Sequence, residues 1–134
     1  MSEDNRARAI RWMEDNWNRR RDGVVDELMH PECIGRMEGG DQVKGREGWR
    51  QARQQLLAAF PDLRMTIDQS VAEGDTVVLR WTVRGTHQGD AMGFPGTGRK
   101  MEAVGSTWMR FEGGQMVSGY DTWNMGGLVA ALAA

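Results

Sequence analysis

The side chains best suited to chemistry lie in a glycine-rich segment, Gly85–Glu102, and at the end of the last strand-like run. His87, in the first of these, carries an imidazole that can exchange a proton near neutral pH. Asp121, in the second, offers a carboxylate that can act as a general base. Asn124 does not titrate near neutral pH, but its amide can donate a hydrogen bond to a carbonyl or enolate oxygen. These residue types suit proton transfer next to a carbonyl.

Each of these residues also has a purely structural interpretation. Strand alternation places Asp121 on the opposite face from Tyr120 and Asn124, which makes it a solvated or hydrogen-bonded strand residue unless a bulge turns it inward. Asn124 could instead cap a C-terminal helix. His87 could pin the backbone of its own loop, and His30 is expected to be structural because it lies at a helix end beside a proline.

Aromatic and methionine side chains could line a pocket for an apolar ligand. Six tryptophans and ten methionines suit either a roomy apolar interior or an ordinary packed core. We predict that Trp17 on the first helix, and Trp108 and Tyr120 on the last two strands, face the pocket. Arg36 could pair with a ligand carboxylate or phenolate at the pocket mouth, or could lie on the surface. The methionines predicted to line the same space are Met37, Met65 and Met92.

Composition limits the classes of partner and of site. A net charge of −2 gives no reason to expect nucleic acid or an anionic membrane as a partner. No apolar run approaches the ~20 residues that span a bilayer, and the polar N-terminus lacks the apolar centre of a signal peptide, so we expect a soluble, cytoplasmic protein. One cysteine, Cys33, cannot form an internal disulfide. With only two histidines, the sequence offers little material for a zinc site, and no acidic cluster indicates magnesium.

Periodicity predicts the elements that must position these residues. The predicted helices are Glu3–Arg21, 24–30, Glu47–Phe60 and Met125–Ala134. The predicted strands are 63–71, 76–86, 100–111 and 115–123. Residues 33–44 are expected to form a loop or a short strand. Because helices come first and strands follow, we predict a single α+β domain over residues 1–134, with helices packed on one face of an antiparallel sheet.

Three sequence segments, AAFPDL, AEGDTVVLRWTVRGTH and FPGTGR, resemble the SnoaL-like polyketide cyclase family. The resemblance extends from about Trp17 to Leu132. The resemblance implies the nuclear-transport-factor-two-like fold, in which N-terminal helices and a strongly curved antiparallel sheet form a cone with a pocket. It also implies an enzyme that needs no metal and no cofactor and closes a ring by intramolecular aldol condensation. Members of the fold often dimerise through the sheet, so a homodimer is expected.

The resemblance further implies where acid–base residues should stand. The family's last strand typically reads G-K-I-V-E-H-W-x-x-W-D, which corresponds to residues 114–124. The glutamate becomes Ser118, the histidine becomes Gly119 and the aspartate becomes Asn124, while Arg36 stands where many members have a histidine. On this alignment the usual catalytic carboxylate is replaced by an amide. Restoring it by Asn124→Asp is therefore expected to raise cyclase-like activity.

Three functional hypotheses follow. The first is a cyclase or isomerase that acts on a hydrophobic, oxygenated small molecule. Asp121 or His87 would be its base, and Asn124 or Tyr120 would be its oxyanion donor. The second is a module that binds an apolar ligand without turnover. The third is a hydrolase such as an epoxide hydrolase, which needs two carboxylates and an arginine around one water, and we cannot assemble that set from this sequence.

Overall fold

Helical segments precede a six-stranded sheet along the chain, and one more helix follows it. The computed structural model describes residues 2–37, 42–90 and 93–133. The α-helices are α1 (Ser2–Met13), α2 (Gly23–Leu28), α3 (Gly45–Ala59) and α4 (Met125–Ala133), and a π-helical turn covers Glu14–Arg19. The strands are β1 (Met29–Met37), β2 (Gln42–Lys44), β3 (Arg64–Glu73), β4 (Thr76–Thr86), β5 (Lys100–Glu112) and β6 (Gln115–Trp123).

The strand order in the curved sheet is β2-β1-β6-β5-β4-β3. All neighbouring strands are antiparallel except β1 and β6, which pair in parallel. Alternate residues of β4, among them Val77 and Leu79, are fully buried beneath the helices. Burying each such side chain contributes about 1.5–3 kcal/mol. The predicted α+β class, with N-terminal helices on one face of a curved sheet, is confirmed.

The first helix ends in a wider turn. Ala9 and Trp12 lie on the buried face of α1, and Glu3 near its start suits the positive end of the helix dipole. After Met13 the backbone continues as the π-helical turn, which brings Asn16 into the core with no solvent exposure. The amide of Asn16 donates from Nδ2 to the carbonyl oxygen of Trp12 at 2.8 Å. Such π turns are often found at functional sites.

Residues 33–37 of the segment predicted as a loop or short strand belong to a nine-residue strand, β1, which lies between β2 and β6, and residues 42–44 form β2. His30 belongs to this strand rather than to a helix end, and its Nδ1 accepts a hydrogen bond from the backbone N–H of Glu32 at 3.1 Å. Pro31 and Gly35 make this strand hard to predict from the sequence, because both residue types are depleted in strands. Pairing with β6 stabilises it nevertheless.

The glycine-rich segment between β4 and β5 folds back on itself at the C-terminal end of α3. The backbone N–H of His87 donates to the oxygen of Arg99 at 2.9 Å, and that of Gly98 donates to the oxygen of His87 at 2.7 Å. Gly96 has no room for a side chain, since a Cβ would lie 2.2 Å from the backbone oxygen of Gln88. The segment therefore has a structural role, because its backbone hydrogen bonds and its close packing at Gly96 fix its conformation. Met92 lies outside the described residues.

Among the described residues, no helix is long and apolar enough to span a membrane.

Candidate functional site

A cavity of about 410 Å³ lies between the N-terminal helical segments, α3 and the inner face of the sheet. Among the described residues, five tryptophans line it: Trp12, Trp17, Trp49, Trp81 and Trp123. The methionines in its wall are Met13, Met29, Met37, Met65 and Met116. A mostly apolar concave site of this size suits a small organic ligand. The flat indole surfaces favour flat rings.

The tryptophan wall on the helical side is held by contacts among its own members. The ring of Trp49 lies 5.4 Å from that of Trp12 and 5.6 Å from that of Trp17, measured between centroids. Its Nε1–H donates to Oδ1 of Asn16 at 3.1 Å, and Arg53 donates to the same oxygen at 2.8 Å. Asn16, placed by the π-helical turn, therefore orients the indole of Trp49.

Asp121 faces this cavity from β6. A β-bulge in β6 explains why: Met116 pairs with Phe111, but the next pair is Ser118 with Arg110, so β6 has one extra residue. The bulge reverses the alternation of the strand beyond it and turns Asp121 inward. The bulged alternative is thus the one observed. Among the described lining residues, Asp121 carries the only carboxylate.

The carboxyl group of Asp121 lies in an apolar environment and accepts one side-chain hydrogen bond from the described residues. Thr107 lies directly opposite on β5, and its Oγ1 donates to Oδ1 of Asp121 at 2.6 Å. The same Oγ1 accepts a hydrogen bond from Nε1 of Trp81 at 2.9 Å. Burial raises the pKa of Asp121 because it penalises the charged form, and the Thr107 hydrogen bond acts in the opposite direction.

Asn124 does not belong to the described wall of this cavity. It is exposed just beyond β6, and its Oδ1 accepts a hydrogen bond from the backbone N–H of Gly127 at 2.9 Å. This is the capping interaction at the start of α4. Of the two interpretations of Asn124, the structure therefore shows the helix cap, and the carboxylate that faces the cavity is that of Asp121.

His87 lies next to the C-terminal end of α3, where Gln88 N–H donates to the oxygen of Ala59, and it is outside the described wall of the cavity. Its ring is fully buried between Phe60 and Phe94, with centroid separations of 5.6 and 4.9 Å. Nδ1 accepts from the backbone N–H of Thr97 at 3.3 Å and lies 3.1 Å from the Thr97 hydroxyl. His87 thus fastens the glycine-rich segment, which is the structural one of its two interpretations, and it does not belong to the described cavity wall.

Trp108 and Tyr120 lie opposite each other on the outer face of the sheet, where they are 51% and 41% exposed. The prediction that they face the pocket is wrong, because Thr107 and Asp121, their chain neighbours, take the inward positions. Three other residues predicted for the site do line the cavity: Trp17, Arg36 and Met37. Met65, suggested with them, lines it as well.

Sequence reasoning missed Thr107, Gln55 and Asn16. Gln55 lines the cavity from α3, and its amide can donate a hydrogen bond to a ligand. Thr107 becomes visible only from the register, since it pairs with Asp121 across β5 and β6. Cys33 also lines the wall, but burial raises the pKa of its thiol to about 11, so it remains protonated at neutral pH. The described residues contain no cluster of His, Cys, Asp and Glu that could hold a metal.

Solved structures with the same architecture cover almost the whole chain. One is a protein from Jannaschia sp. CCS1 that is proposed to be a SnoaL-like polyketide cyclase. It superposes with a TM-score of 0.93 at 21% identity, over 99% of this chain and 94% of that one, and this similarity establishes the fold. AclR, a proposed hydroxylase from Streptomyces galilaeus, gives a TM-score of 0.86 at 27% identity, over 99% of this chain and 98% of that one.

IdmH, a proposed polyketide cyclase from Streptomyces antibioticus, gives a TM-score of 0.83 at 27% identity, over 97% of this chain and 99% of that one. No curated protein sequence matches the chain significantly. The sequence model of the SnoaL-like polyketide cyclases matches residues 7–132. The chain therefore belongs to the SnoaL-like polyketide cyclase family.

Proposed function

We propose that this protein catalyses ring closure or isomerisation of a hydrophobic, oxygenated small molecule by cofactor-free proton transfer, with Asp121 as the acid–base group. One observation carries the proposal: a single carboxylate among the described lining residues faces an apolar, tryptophan-lined cavity. Burial raises its pKa toward the range in which a carboxylate can take up and return a proton near neutral pH. The similarity to IdmH, a proposed polyketide cyclase, supports the same class of reaction.

The proposed ring closure is an intramolecular aldol reaction. The carboxylate of Asp121 takes a proton from a carbon next to a carbonyl, and the electron pair of that C–H bond moves into an enolate. The enolate carbon then forms a bond to a second carbonyl carbon of the same molecule, whose π electrons move to its oxygen. The proton held by Asp121 is returned to that oxygen, so the carboxylate is regenerated.

The cavity wall suggests how the substrate is held. The indole rings supply flat apolar surfaces, so we propose a substrate with planar or conjugated rings. Gln55 and Arg36 are the wall's side-chain candidates for hydrogen bonds to carbonyl or enolate oxygens, and Arg36 could also pair with an anionic group. They replace Asn124 and Tyr120 in that proposed role, because those two residues lie outside the described wall.

The decisive experiment is turnover of a panel of linear aromatic polyketone esters, followed by chromatography and mass spectrometry. We expect Asp121→Asn to reduce kcat by ~10²–10⁴-fold, the usual contribution of a general base. Tryptophan quenching by the same compounds should be retained, since the wall is unchanged. Trp108→Phe, on the outer face, is the matched control and should keep full turnover. Wild-type turnover that survives Asp121→Asn would overturn the proposal.

A binding module without turnover is the second candidate. It is favoured by the absence of a histidine or a second carboxylate from the described cavity wall. This candidate predicts quenching of tryptophan fluorescence by apolar compounds with no conversion of any of them. Turnover that depends on Asp121 excludes it.

We also propose that the protein is a homodimer that associates through the outer face of the sheet. Trp108 and Tyr120 support this proposal, because together they place two large, half-exposed aromatic side chains side by side on that face. Exposed aromatic patches of this kind are typical of protein interfaces.

A further inference from the structure

A chain of two hydrogen bonds leads from Trp81 to the carboxyl group of Asp121. The Nε1–H of Trp81 donates to Thr107 Oγ1 at 2.9 Å, and Thr107 donates to Oδ1 of Asp121 at 2.6 Å. We propose that Trp81 and Thr107 are positioning residues that hold Oδ1 as an acceptor and leave Oδ2 of Asp121 as the oxygen that exchanges the proton with the substrate. This inference rests on the proposed function of Asp121.

The chemistry of the three groups sets the direction of the chain. An indole nitrogen can only donate, so Trp81 occupies a lone pair of the Thr107 oxygen and limits rotation of its hydroxyl. The single hydroxyl proton of Thr107 then points to the acceptor 2.6 Å away, Oδ1 of Asp121. Donation to Thr107 from Trp81 also strengthens the bond from Thr107 to Asp121, because hydrogen bonds in a chain polarise one another.

The backbone around Gly105 is built to admit the indole of Trp81. Gly105 pairs with Trp81 on one side and with Trp123 on the other, and the two indole rings meet edge to face with centroids 5.9 Å apart. A Cβ at position 105 would lie 2.5 Å from a ring carbon of Trp81. Because residue 105 has no side chain, the Trp81 ring lies across it and its nitrogen reaches Thr107, two residues further along β5.

Few other groups in the cavity can influence the ionisation of Asp121. Among the described lining residues, Cys33 and Arg36 of β1 are the other titratable or charged side chains. The thiol of Cys33 stays neutral because burial raises its pKa to about 11. Arginine remains charged over the whole usable pH range. A pH-dependent change in the cavity well below the pKa of Cys33 therefore reports on Asp121.

The test is an NMR titration of the full-length protein without substrate, with ¹³C-labelled aspartate carboxyls and ¹⁵N-labelled tryptophan indoles. The signal of Asp121 is assigned by its loss in Asp121→Asn. We expect Thr107→Val to raise the titration midpoint of Asp121, because it removes a donor to the ionised form. Trp81→Phe should raise it by a smaller amount. Thr107→Ser, which keeps the hydroxyl, should restore the wild-type midpoint.

The indole N–H signal of Trp81 gives a second readout, which a purely structural role would not produce. In the wild type this signal should shift with the midpoint of Asp121, and in folded Thr107→Val that dependence should disappear. The indole of Trp108, on the outer face, should not respond in either protein and serves as the control. If Thr107→Val does not fold, the comparison of Trp81→Phe with Thr107→Ser still decides.

Equal midpoints in wild type, Trp81→Phe and Thr107→Val, all folded, would overturn the positioning role. The titration needs no reaction, so the two proposals fail separately. Shifted midpoints without turnover of any compound would support the hydrogen-bond chain and count against the proposed reaction. Unchanged midpoints, with turnover abolished by Asp121→Asn, would do the reverse.

Discussion

Gly35 and Gly119 lie opposite each other in the parallel pair of β1 and β6, and both line the cavity. Gly119 is two residues from Asp121 and on the same face of β6. At these two positions, the cavity wall beside the carboxylate of Asp121 therefore carries no side chain. The family resemblance implies a histidine at position 119, so its replacement by glycine enlarges the space next to Asp121. We infer that the shape of the accepted ligand depends on these two glycines.

Filling this space at Gly119 should therefore weaken ligand binding. A Cβ at position 119 would lie 3.7 Å from Sδ of Met116, an ordinary contact, so Gly119→Ala should fold normally and serve as the matched control. Gly119→Leu extends further into the cavity and should reduce affinity for a flat apolar dye such as 1-anilinonaphthalene-8-sulfonate about tenfold, ~1.4 kcal/mol. Energy transfer from tryptophan to the dye measures it. Equal affinity in both variants would show that the ligand does not reach this wall.

The stability of the protein should depend on pH through Asp121. Burial raises its pKa in the folded state, so the folded protein binds a proton more strongly than the unfolded chain does. Stability from this group is thus fully present below the ordinary aspartate pKa and falls as pH rises through the folded value. Asp121→Asn should remove this loss and raise the free energy of unfolding by on the order of 1 kcal/mol at neutral pH.

Urea unfolding of wild type and Asp121→Asn at several pH values measures that difference. The two curves should converge at acid pH, where the wild-type carboxyl is protonated in both states. A stability difference that is independent of pH would contradict the argument. Asp62→Asn is a useful comparison, because hydrogen bonds from the backbone and side chain of Thr86 lower the pKa of Asp62 and its pH dependence should have the opposite sign.

Substitutions at Asn124 should affect the C-terminal helix and not the chemistry. Asn124→Ala removes the acceptor for Gly127 N–H and should cost about 1 kcal/mol. Asn124→Asp keeps a good capping group and should leave stability nearly unchanged. In contrast to the expectation from the sequence, Asn124→Asp should give no gain in turnover. Helicity by circular dichroism and product formation measure the two effects, and increased turnover would show that position 124 reaches the substrate after all.

The proposed homodimer makes a prediction at the outer face of the sheet. Trp108→Glu places a charge within the exposed aromatic pair and should shift the protein from dimer to monomer, because burying an unpaired charge at an interface is costly. Val71→Glu changes another exposed apolar residue, on β3, and tests whether any exposed apolar position gives the same result. Light scattering coupled to size-exclusion chromatography reads the mass. A wild-type monomer at all concentrations would refute the proposed dimer.

Much of the fold can be predicted from local sequence patterns. The strands 76–86 and 115–123 have the predicted bounds, because alternation of apolar and polar residues is strong in β4 and turns flank β6. The start and length of β1 were not predicted, because its stability comes from neighbours distant in sequence rather than from its own residues. The π-helical turn was not predicted, since a single helix already accounted for the spacing of Ile10, Met13 and Trp17.

The site was harder to predict because one inserted residue decides which side chains face inward. From Met116 onward, simple alternation directs Tyr120 to the cavity and Asp121 to solvent. The bulge beside Met116 reverses that assignment, and the residue types of Val117 and Ser118 do not indicate a bulge. The same reversal removes Tyr120 from the cavity and turns Asp121 into it. Aromatic residues of the helices needed no such correction, and Trp17 was correctly placed.

The parallel pairing of β1 with β6 has a consequence for how the protein is made. These two strands are far apart in sequence, and closing so long a loop is entropically slow compared with forming hairpins such as β3–β4. During synthesis the tryptophans of α1 and β4 are translated well before β6 can complete the wall around them. We expect the nascent chain to expose this aromatic surface until β6 emerges from the ribosome and completes the wall.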